Sequence, residues 1–280
     1  MKLAFCDGGL CNRLNVLIFG LILRKKYGHV WELAWPKNSW CGAGFNKLFD
    51  LDAVVHDQPI TYYKEHEQKF NFLIHENQGN FTADLVRFNS DFLDYSQYEL
   101  FLNSHESVFY YNNLIPRFVS FDDIQDGINA LRINNGVYAK ATEFCQINNI
   151  NESVYGLHIR KTDFGDKIND NELFQLVSTR AARFFVCSDD EEVNNRFAQL
   201  PNCSVFKKTH FPQKRVETAH WLHWNTDAEG RSFPFNIDRS EDSVIEGLID
   251  LLILSRTQLV NTSHSTFLNM AGIFKAVGFY

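Results

Sequence analysis

Residues 157–163 read Leu157-His158-Ile159-Arg160-Lys161-Thr162-Asp163, a run in which an imidazole and a guanidinium alternate with apolar side chains. Alternation at period two is a strand signature, and side chains two apart share a face, so His158 and Arg160 project together. Val154, Leu157 and Ile159 give the apolar character of a buried strand, so the pair falls where that strand gives way to a polar loop. In open α/β sheets ligands gather outside the carboxyl ends of strands. An arginine there presents a planar fork of donors matched to phosphate oxygens. The plainer alternative is a surface ion pair between Arg160 or Lys161 and Asp163.

Other clusters fall at equivalent places. Arg183-Phe184-Phe185-Val186-Cys187 runs into Ser188-Asp189-Asp190, and Leu259-Val260 runs into Asn261-Thr262-Ser263-His264-Ser265-Thr266-Phe267. In the first half, the apolar residues 2–6 run into Asp7-Gly8-Gly9. Hydroxyls and amides of Ser263, Ser265, Thr266 and Phe267 at a helix start would cradle a phosphate group. Asp189 could accept hydrogen bonds from the N–H groups of a base, and Gly8 and Gly9 would let the backbone approach a ligand closely. Ser188-Asp189-Asp190 and Ser263-His264-Ser265 read equally well as helix N-caps. Gly8-Gly9 lacks the spacing of a dinucleotide fingerprint or a P-loop. An acidic pair at Asp189-Asp190 offers fewer carboxylates than a hard-cation site gathers, so no metal is expected.

The elements that must position these groups follow from periodicity. Residues 2–6 read as a strand, and Leu14, Leu17, Ile18, Leu21 and Ile22 recur at helical spacing up to Arg24-Lys25-Lys26 and Gly28. Val30 to Trp35 reads as the next strand, stopped by Pro36, and a strand–helix–strand opening implies a parallel sheet. Residues 56–125 show no clean period. One helix is expected over 121–148, and the polar joint 148–151 divides an N-terminal domain, 1–148, from a C-terminal domain, 149–280. The second half has strands at 153–160, 183–187 and 205–206, a helix from about 170 and another carrying Val193, Phe197 and Leu200. A capping-box pattern at Ser243-Val244-Ile245-Glu246 predicts the start of the helix carrying Leu248, Ile249, Leu252 and Ile253. The fold class is therefore α/β, and if both halves are open parallel sheets facing each other, these polar clusters line one cleft between them.

Composition sets the outer limits. At 280 residues and 45% hydrophobic, the chain can bury a large core. A net charge of −7 disfavours a sequence-independent nucleic-acid binder. The one basic run, Phe206 to Arg215, reads as a solvated loop, although a loop beside an anionic ligand could use it. His220-Trp221-Leu222-His223-Trp224 has no further zinc ligands at suitable spacing and reads as an aromatic loop or a platform for sugar rings. The six cysteines form no CxxC pair, which suits a reducing compartment. No apolar run reaches membrane-spanning length, and the opening residues lack a signal peptide's apolar stretch. The expectation is a cytoplasmic protein of bacterial or viral source; peripheral contact with a membrane surface and the oligomeric state stay open.

Three motifs in order resemble the GDP-fucose-dependent fucosyltransferases of the α-1,6, nodulation, α-1,2 and protein O-fucosyltransferase type. Gly8-Gly9-Leu10-Cys11-Asn12-Arg13-Leu14 is similar to their N-terminal glycine–Asn motif. His158-Ile159-Arg160-Lys161-Thr162-Asp163 resembles their His-x-Arg-Arg-Thr-Asp motif. Phe185 to Asp190, with Asp250 to Ser255 and Thr262 to Phe267, resembles their C-terminal donor motifs. The resemblance implies a GT-B-like α/β fold, two Rossmann-like domains facing across a cleft with the donor held mainly by the second, inversion at the sugar's anomeric carbon and no essential metal or other cofactor. It implies that Arg160 binds the β-phosphate, that Ser265 and Thr266 help hold the pyrophosphate, and that Asp189 lies near the guanosine. His158 and Asp163 would frame the donor pocket, and Asn12 would stand near the reacting centre. Lys161 and Phe164 stand where the family has basic residues, and Cys11 where it has glycine.

The resulting expectation is an inverting glycosyltransferase that moves fucose from GDP-fucose to a hydroxyl of a glycan acceptor. Arg160, Asp163, Asn12 and Asp7 would carry the reaction, with Asp7, Asp163 and Asp166 as candidates for the base. Gly8, Gly9, Arg13, His158, Ser188, Asp189, Ser263, Ser265, Thr266 and Phe267 would bind the donor. Two alternatives remain: another nucleotide sugar, such as a UDP-hexose, as donor, or a non-catalytic nucleotide- or glycan-binding module.

Overall fold

The computed structural model describes residues 2–6, 8–28, 31–57, 72–75, 86–88, 108–111, 115, 119–162, 170–221, 225–226, 232–233, 236–260 and 265–279. They fall into two compact units, Met1–Lys37 with Gly44–Ile133, and Asn38–Ala43 with Asn134–Tyr280. Each is built on its own parallel sheet.

In the first unit, β1 (Lys2–Phe5) leads through Gly8-Gly9 into α1 (Leu10–Tyr27), and β2 (Trp31–Ala34) follows. Leu14, Leu17, Ile18, Leu21 and Ile22 are all buried, so the 3.6-residue period places one face of α1 inward. The Gly28 N–H closes the helix on the Arg24 carbonyl at 3.0 Å. The short α2 (Phe45–Leu48) and β3 (Val55–His56) come next, and β4 (Phe72–His75), β5 (Val86–Phe88) and β6 (Val108–Tyr111) emerge from the stretch without sequence periodicity. The six-stranded sheet has the order β3-β2-β1-β6-β4-β5, with every pairing parallel. Strand order reverses between β1 and β6, the kind of point where open sheets take ligands.

The single helix expected over 121–148 is two: α3 (Phe121–Ala130) and α4 (Asn135–Ile147). Ile133 forms a bridge with Phe49 between them, and the Asn134 side chain caps α4 by accepting from the Gly136 N–H at 3.0 Å. α3 packs on α1 in the first unit, whereas α4 packs on a long helix of the second. The polar joint at 148–151 is thus the turn from α4 into β7, within the second unit.

The second unit continues with β7 (Tyr155–Ile159), α5 (Asp170–Ser178), β8 (Phe184–Ser188), α6 (Glu191–Phe197) and β9 (Cys203–Ser204). A two-stranded antiparallel hairpin, β10 (Asn225–Thr226) and β11 (Ser232–Phe233), precedes α7 (Glu241–Leu254), β12 (Gln258–Leu259) and α8 (Thr266–Ala276). The sheet runs β12-β7-β8-β9, all parallel, so its order reverses between β7 and β12. Leu157 and Ile159 bury against Leu173, Val177, Val193 and Phe197 on one face. At the reversal the side chains of Thr257 and Leu254 pack directly on the β7 backbone: a Cβ on Gly156 would stand 1.9 Å from Thr257 Oγ1. Only glycine fits there.

α7 begins earlier than its capping-box pattern predicts. Ser240 is the cap and accepts from the Ser243 N–H at 3.2 Å, while the Ser243 hydroxyl donates back to the Ser240 carbonyl at 3.0 Å. Glu246 does not cap the helix. Its carboxylate accepts the backbone N–H groups of Thr209 at 3.1 Å and His210 at 2.8 Å and so ties the basic run to α7. Residues 38–43 join this unit through the Gly42 N–H to the Arg239 carbonyl at 2.9 Å and the Arg239 N–H to the Ser39 carbonyl at 3.0 Å. Among the described residues no helix is long and apolar enough to cross a membrane.

Candidate functional site

The site in the second unit is assembled at the carboxyl ends of β7 and β8 and the start of α8. Because Leu157 and Ile159 face α5 and α6, the pleat turns His158 to the opposite side. There its ring stacks on Phe267, with centroids 4.5 Å apart and planes 21° apart. Its Nδ1 lies 3.3 Å from the Ser265 hydroxyl oxygen. Burial holds the imidazole neutral down to about 4, with the charges of Arg160 and Lys208 acting in the same direction and Asp189 opposing them. Ser265 is the N-cap of α8 and accepts from the Leu268 N–H at 3.1 Å, so the hydroxyl beside His158 also fixes the helix start. Thr266 and Phe267 form the first turn. A helix start at a sheet reversal gathers unpaired N–H groups and the positive end of the macrodipole, which together favour an anion.

Arg160 follows β7 directly and is half-buried. The backbone that carries it is braced from β8: one oxygen of Asp189 accepts the Lys161 N–H at 2.7 Å, and the other accepts the Thr162 hydroxyl. Arg239 Nη2 reaches the same hydroxyl oxygen at 3.4 Å. Lys161 turns to Asp170 at the start of α5. Ser188 is buried, and its hydroxyl oxygen accepts the Asp190 N–H at 3.1 Å. Asp190 caps α6 through the Val193 N–H at 2.9 Å, which is the N-cap alternative read from the sequence. Beyond Asp189 lies a cavity of about 660 Å³ between α6 and the loop carrying Phe211, Lys214 and Trp221. Of the aromatic run, His220 and Trp221 are described and Trp221 lines this cavity; Leu222, His223 and Trp224 lie outside the described residues.

Sequence reasoning missed the floor of this site. Lys208, in the run read as a solvated loop, is buried and pairs with Asp250 at 2.8 Å, and its ammonium also donates to the Ser188 carbonyl. The signal was present in α7, where Asp250 interrupts an otherwise apolar stretch: a carboxylate buried on a helix requires a cation partner.

In the first unit, Gly8 takes a left-handed φ of +75° that favours glycine, and a Cβ there would meet Asn12 Nδ2 at 3.0 Å. Gly9 is the N-cap of α1 and makes no side-chain cap bond. Asn12 Oδ1 is buried with no hydrogen-bond partner among the described residues. Arg13 is fully buried. It donates from Nε to the Gly8 carbonyl and from Nη1 to the Pro36 carbonyl, both at 2.8 Å, with its guanidinium 5.0 Å from the centre of the Trp35 ring. Asp7, Asp163, Asp166, Phe164 and Ser263 lie outside the described residues. The structure thus brings His158, Arg160, Ser188, Asp189, Ser265, Thr266 and Phe267 to neighbouring strand ends of one sheet, and Gly8, Gly9, Asn12 and Arg13 to a strand end of the other.

Parallel strands alternating with helices in two units, each with a polar loop at the reversal of its strand order, make this a GT-B-like α/β fold. Solved structures carry the same fold: the fucosyltransferase NodZ from Bradyrhizobium superposes with a TM-score of 0.57 over 97% of this chain and 90% of its own, at 14% identity. NodZ, an α-1,6-fucosyltransferase, crystallised with GDP gives 0.55 over 97% and 91% at 13% identity. NodZ soaked with GDP-fucose gives 0.53 over 97% and 91% at 15% identity. No family model matches the chain, and no curated protein matches it either.

Proposed function

We propose that this protein is a glycosyltransferase that moves fucose from GDP-fucose to a hydroxyl of a glycan acceptor, with inversion and without a metal. The observation that carries the reading is the meeting of Arg160, the His158–Ser265 contact and the start of α8 at the point where the β12-β7-β8-β9 order reverses. A guanidinium and a helix start together neutralise a diphosphate, the leaving group of a sugar nucleotide. The NodZ structures, which share the fold and hold GDP or were soaked with GDP-fucose, support the choice of nucleotide.

In this reading the acceptor oxygen attacks the anomeric carbon in line as the carbon–oxygen bond to the β-phosphate breaks. Arg160 and the first turn of α8, with Ser265 and Thr266, stabilise the charge that develops on the departing GDP. His158, held neutral by burial, packs the donor pocket against Phe267 and takes no proton at physiological pH. Asp189 acts by bracing the Arg160 turn, and the cavity beside it offers the nucleoside its volume, with Phe211 and Trp221 among its walls. Asn12 and a carboxylate, one of Asp7, Asp163 and Asp166, enter the proposal as the groups that orient the acceptor and take its proton.

The test is incubation with GDP-fucose, UDP-hexoses and an oligosaccharide panel in EDTA, with nucleotide release and product mass as readouts. Fucosylated product from GDP-fucose in EDTA is expected. Preference for a UDP donor, dependence on Mn²⁺, or GDP binding without turnover on any acceptor would overturn the reading.

A further inference from the structure

The reaction as proposed makes no use of one nearly enclosed ion pair in the second unit. The Lys208 side chain is 6% exposed and that of Asp250 3%, with 2.8 Å between Nζ and Oδ2. Burial alone would push the lysine toward neutrality, but Asp250, with smaller contributions from Cys187 and Asp189, offsets it and keeps the ammonium charged. Asp250 is pushed up to about 6 by its own burial, against the pull of Lys208, and Glu246 adds to the rise. Around it Leu248, Ile249, Leu251, Leu252, Ile253 and Leu254 are all buried, and Asp250 Oδ1 has no hydrogen-bond partner among the described residues. Removing two ions from water costs several kcal/mol each before their attraction returns anything, and an apolar pair of similar size often serves stability as well or better. Stability alone is therefore a poor account of this pair.

The contacts of Lys208 give a better one. Its ammonium donates to the carbonyl of Ser188, the last residue of β8, and lies 5.0 Å from the centre of the Phe211 ring. Asn194 Nδ2 reaches the same carbonyl at 3.4 Å. The next residue, Asp189, holds the Lys161 N–H and the Thr162 hydroxyl, and these two residues directly follow Arg160. The ammonium also acts electrostatically on His158 and on Asp189. A buried cation thus stands behind the turn that presents the guanidinium, joined to it by one backbone carbonyl and one carboxylate.

We propose that Lys208, held in place by Asp250, is a positioning residue for the donor site: it tethers the end of β8 and, through Asp189, sets the turn that carries Arg160. This rests on reading that turn as a diphosphate site. It places part of the machinery for donor binding in the basic run 206–215, on a residue that need not touch the donor.

The experiment titrates GDP, UDP and inorganic pyrophosphate by calorimetry into the wild type, Lys208→Met, Lys208→Arg and the paired Lys208→Met/Asp250→Leu, with thermal melting in parallel. Lys208→Met is expected to melt lower, because Asp250 is left buried without its cation, and to bind GDP at least tenfold more weakly. The paired variant is expected to regain melting temperature without regaining affinity, and Lys208→Arg to keep part of the affinity. Recovery of affinity together with stability in the paired variant would make the ion pair structural only and overturn the inference, as would wild-type affinity in Lys208→Met. Tight binding of UDP in place of GDP, weakened by the Lys208 variants, would overturn the choice of donor and leave the positioning role standing. If the wild type binds none of the three ligands, both fall.

Discussion

Arg13 and Arg160 each follow a parallel strand at the reversal of its sheet, yet the surroundings use them in opposite ways. Arg13 is fully enclosed, and its guanidinium is spent on the Gly8 and Pro36 carbonyls and the Trp35 ring. It acts as an internal strut that holds a glycine loop to the end of β2. Arg160 is half-buried, and Asp189, just past the end of the neighbouring strand β8, grips the backbone N–H of Lys161 and the hydroxyl of Thr162. The lesson concerns what a nearby acceptor binds: carbonyls that take the guanidinium itself make an arginine structural, whereas a carboxylate that takes the adjoining backbone sets the arginine's position. Residue type is the same in both cases, while Arg160 directly follows its strand and Arg13 stands in the first turn of the helix that comes after its own.

The contrast can be broken first at Arg160. Arg160→Ala is expected to lower the transfer rate by about 10²–10³, the usual cost of one preorganised donor at a developing charge, with little change in melting temperature. Steady-state kinetics with GDP-fucose beside a thermal melt checks both halves. Arg13→Met should behave in reverse. It leaves the buried Pro36 carbonyl, at about 1–3 kcal/mol, and the part-buried Gly8 carbonyl, at less, without their donor, so a loss of about 3 kcal/mol in urea stability is expected, larger than any loss in GDP affinity. If affinity fell and stability held, Arg13 would be a donor ligand and the contrast would fail. Gly156→Ala probes the reversal itself: the new methyl would stand 1.9 Å from Thr257 Oγ1 and 2.8 Å from Leu254 Cδ1. Overpacking of this kind costs about 1–3 kcal/mol, read as a lower urea midpoint, and should weaken GDP binding by shifting β12 against β7.

The smallest effect is a pH slope. His158 titrates at about 4 in the folded protein against 6.5 when unperturbed, so the unfolded chain binds the extra proton and stability falls as pH drops from 6.5 toward 4. Asp250 titrates at about 6 against 3.8, so the folded protein binds the extra proton and its contribution rises as pH drops through the same window. The two oppose each other. Asp250→Asn should therefore steepen the loss of stability between pH 6 and pH 4, measured as the urea midpoint against pH.

The strand–helix rhythm of the second half and the opening unit were legible because apolar periodicity is local and strong there. The Leu157/Ile159 face and the His158 face separate as the period of two requires. What escaped the sequence depended on partners far along the chain. The break between α3 and α4 is set by Ile133 bridging Phe49, and a local pattern that stays helical through 121–148 cannot register a strand-like contact formed so far away. Ser243 to Glu246 matched a cap because the pattern is short; Ser240, three residues earlier, supplies the acceptor for the N–H that Ser243 brings. Lys208 was placed in solvent because a lysine is rarely buried, and its burial depends on Asp250. In the site itself, residue types were readable, but the use of Asp189 to brace a turn was not, since an aspartate after a strand looks the same whether it faces a ligand or its neighbour.

Residues 38–43 carry a consequence for how the protein is made. They are synthesised early, yet the unit they belong to closes on them only when the Arg239 backbone arrives to pair with Ser39 and Gly42. The ribosome therefore releases this segment long before its partner exists, and completion of the second unit is a long-range closure that vectorial synthesis cannot hasten. A fragment beginning at Asn134 would lack this segment, so the second unit draws on two stretches of chain that are made at different times.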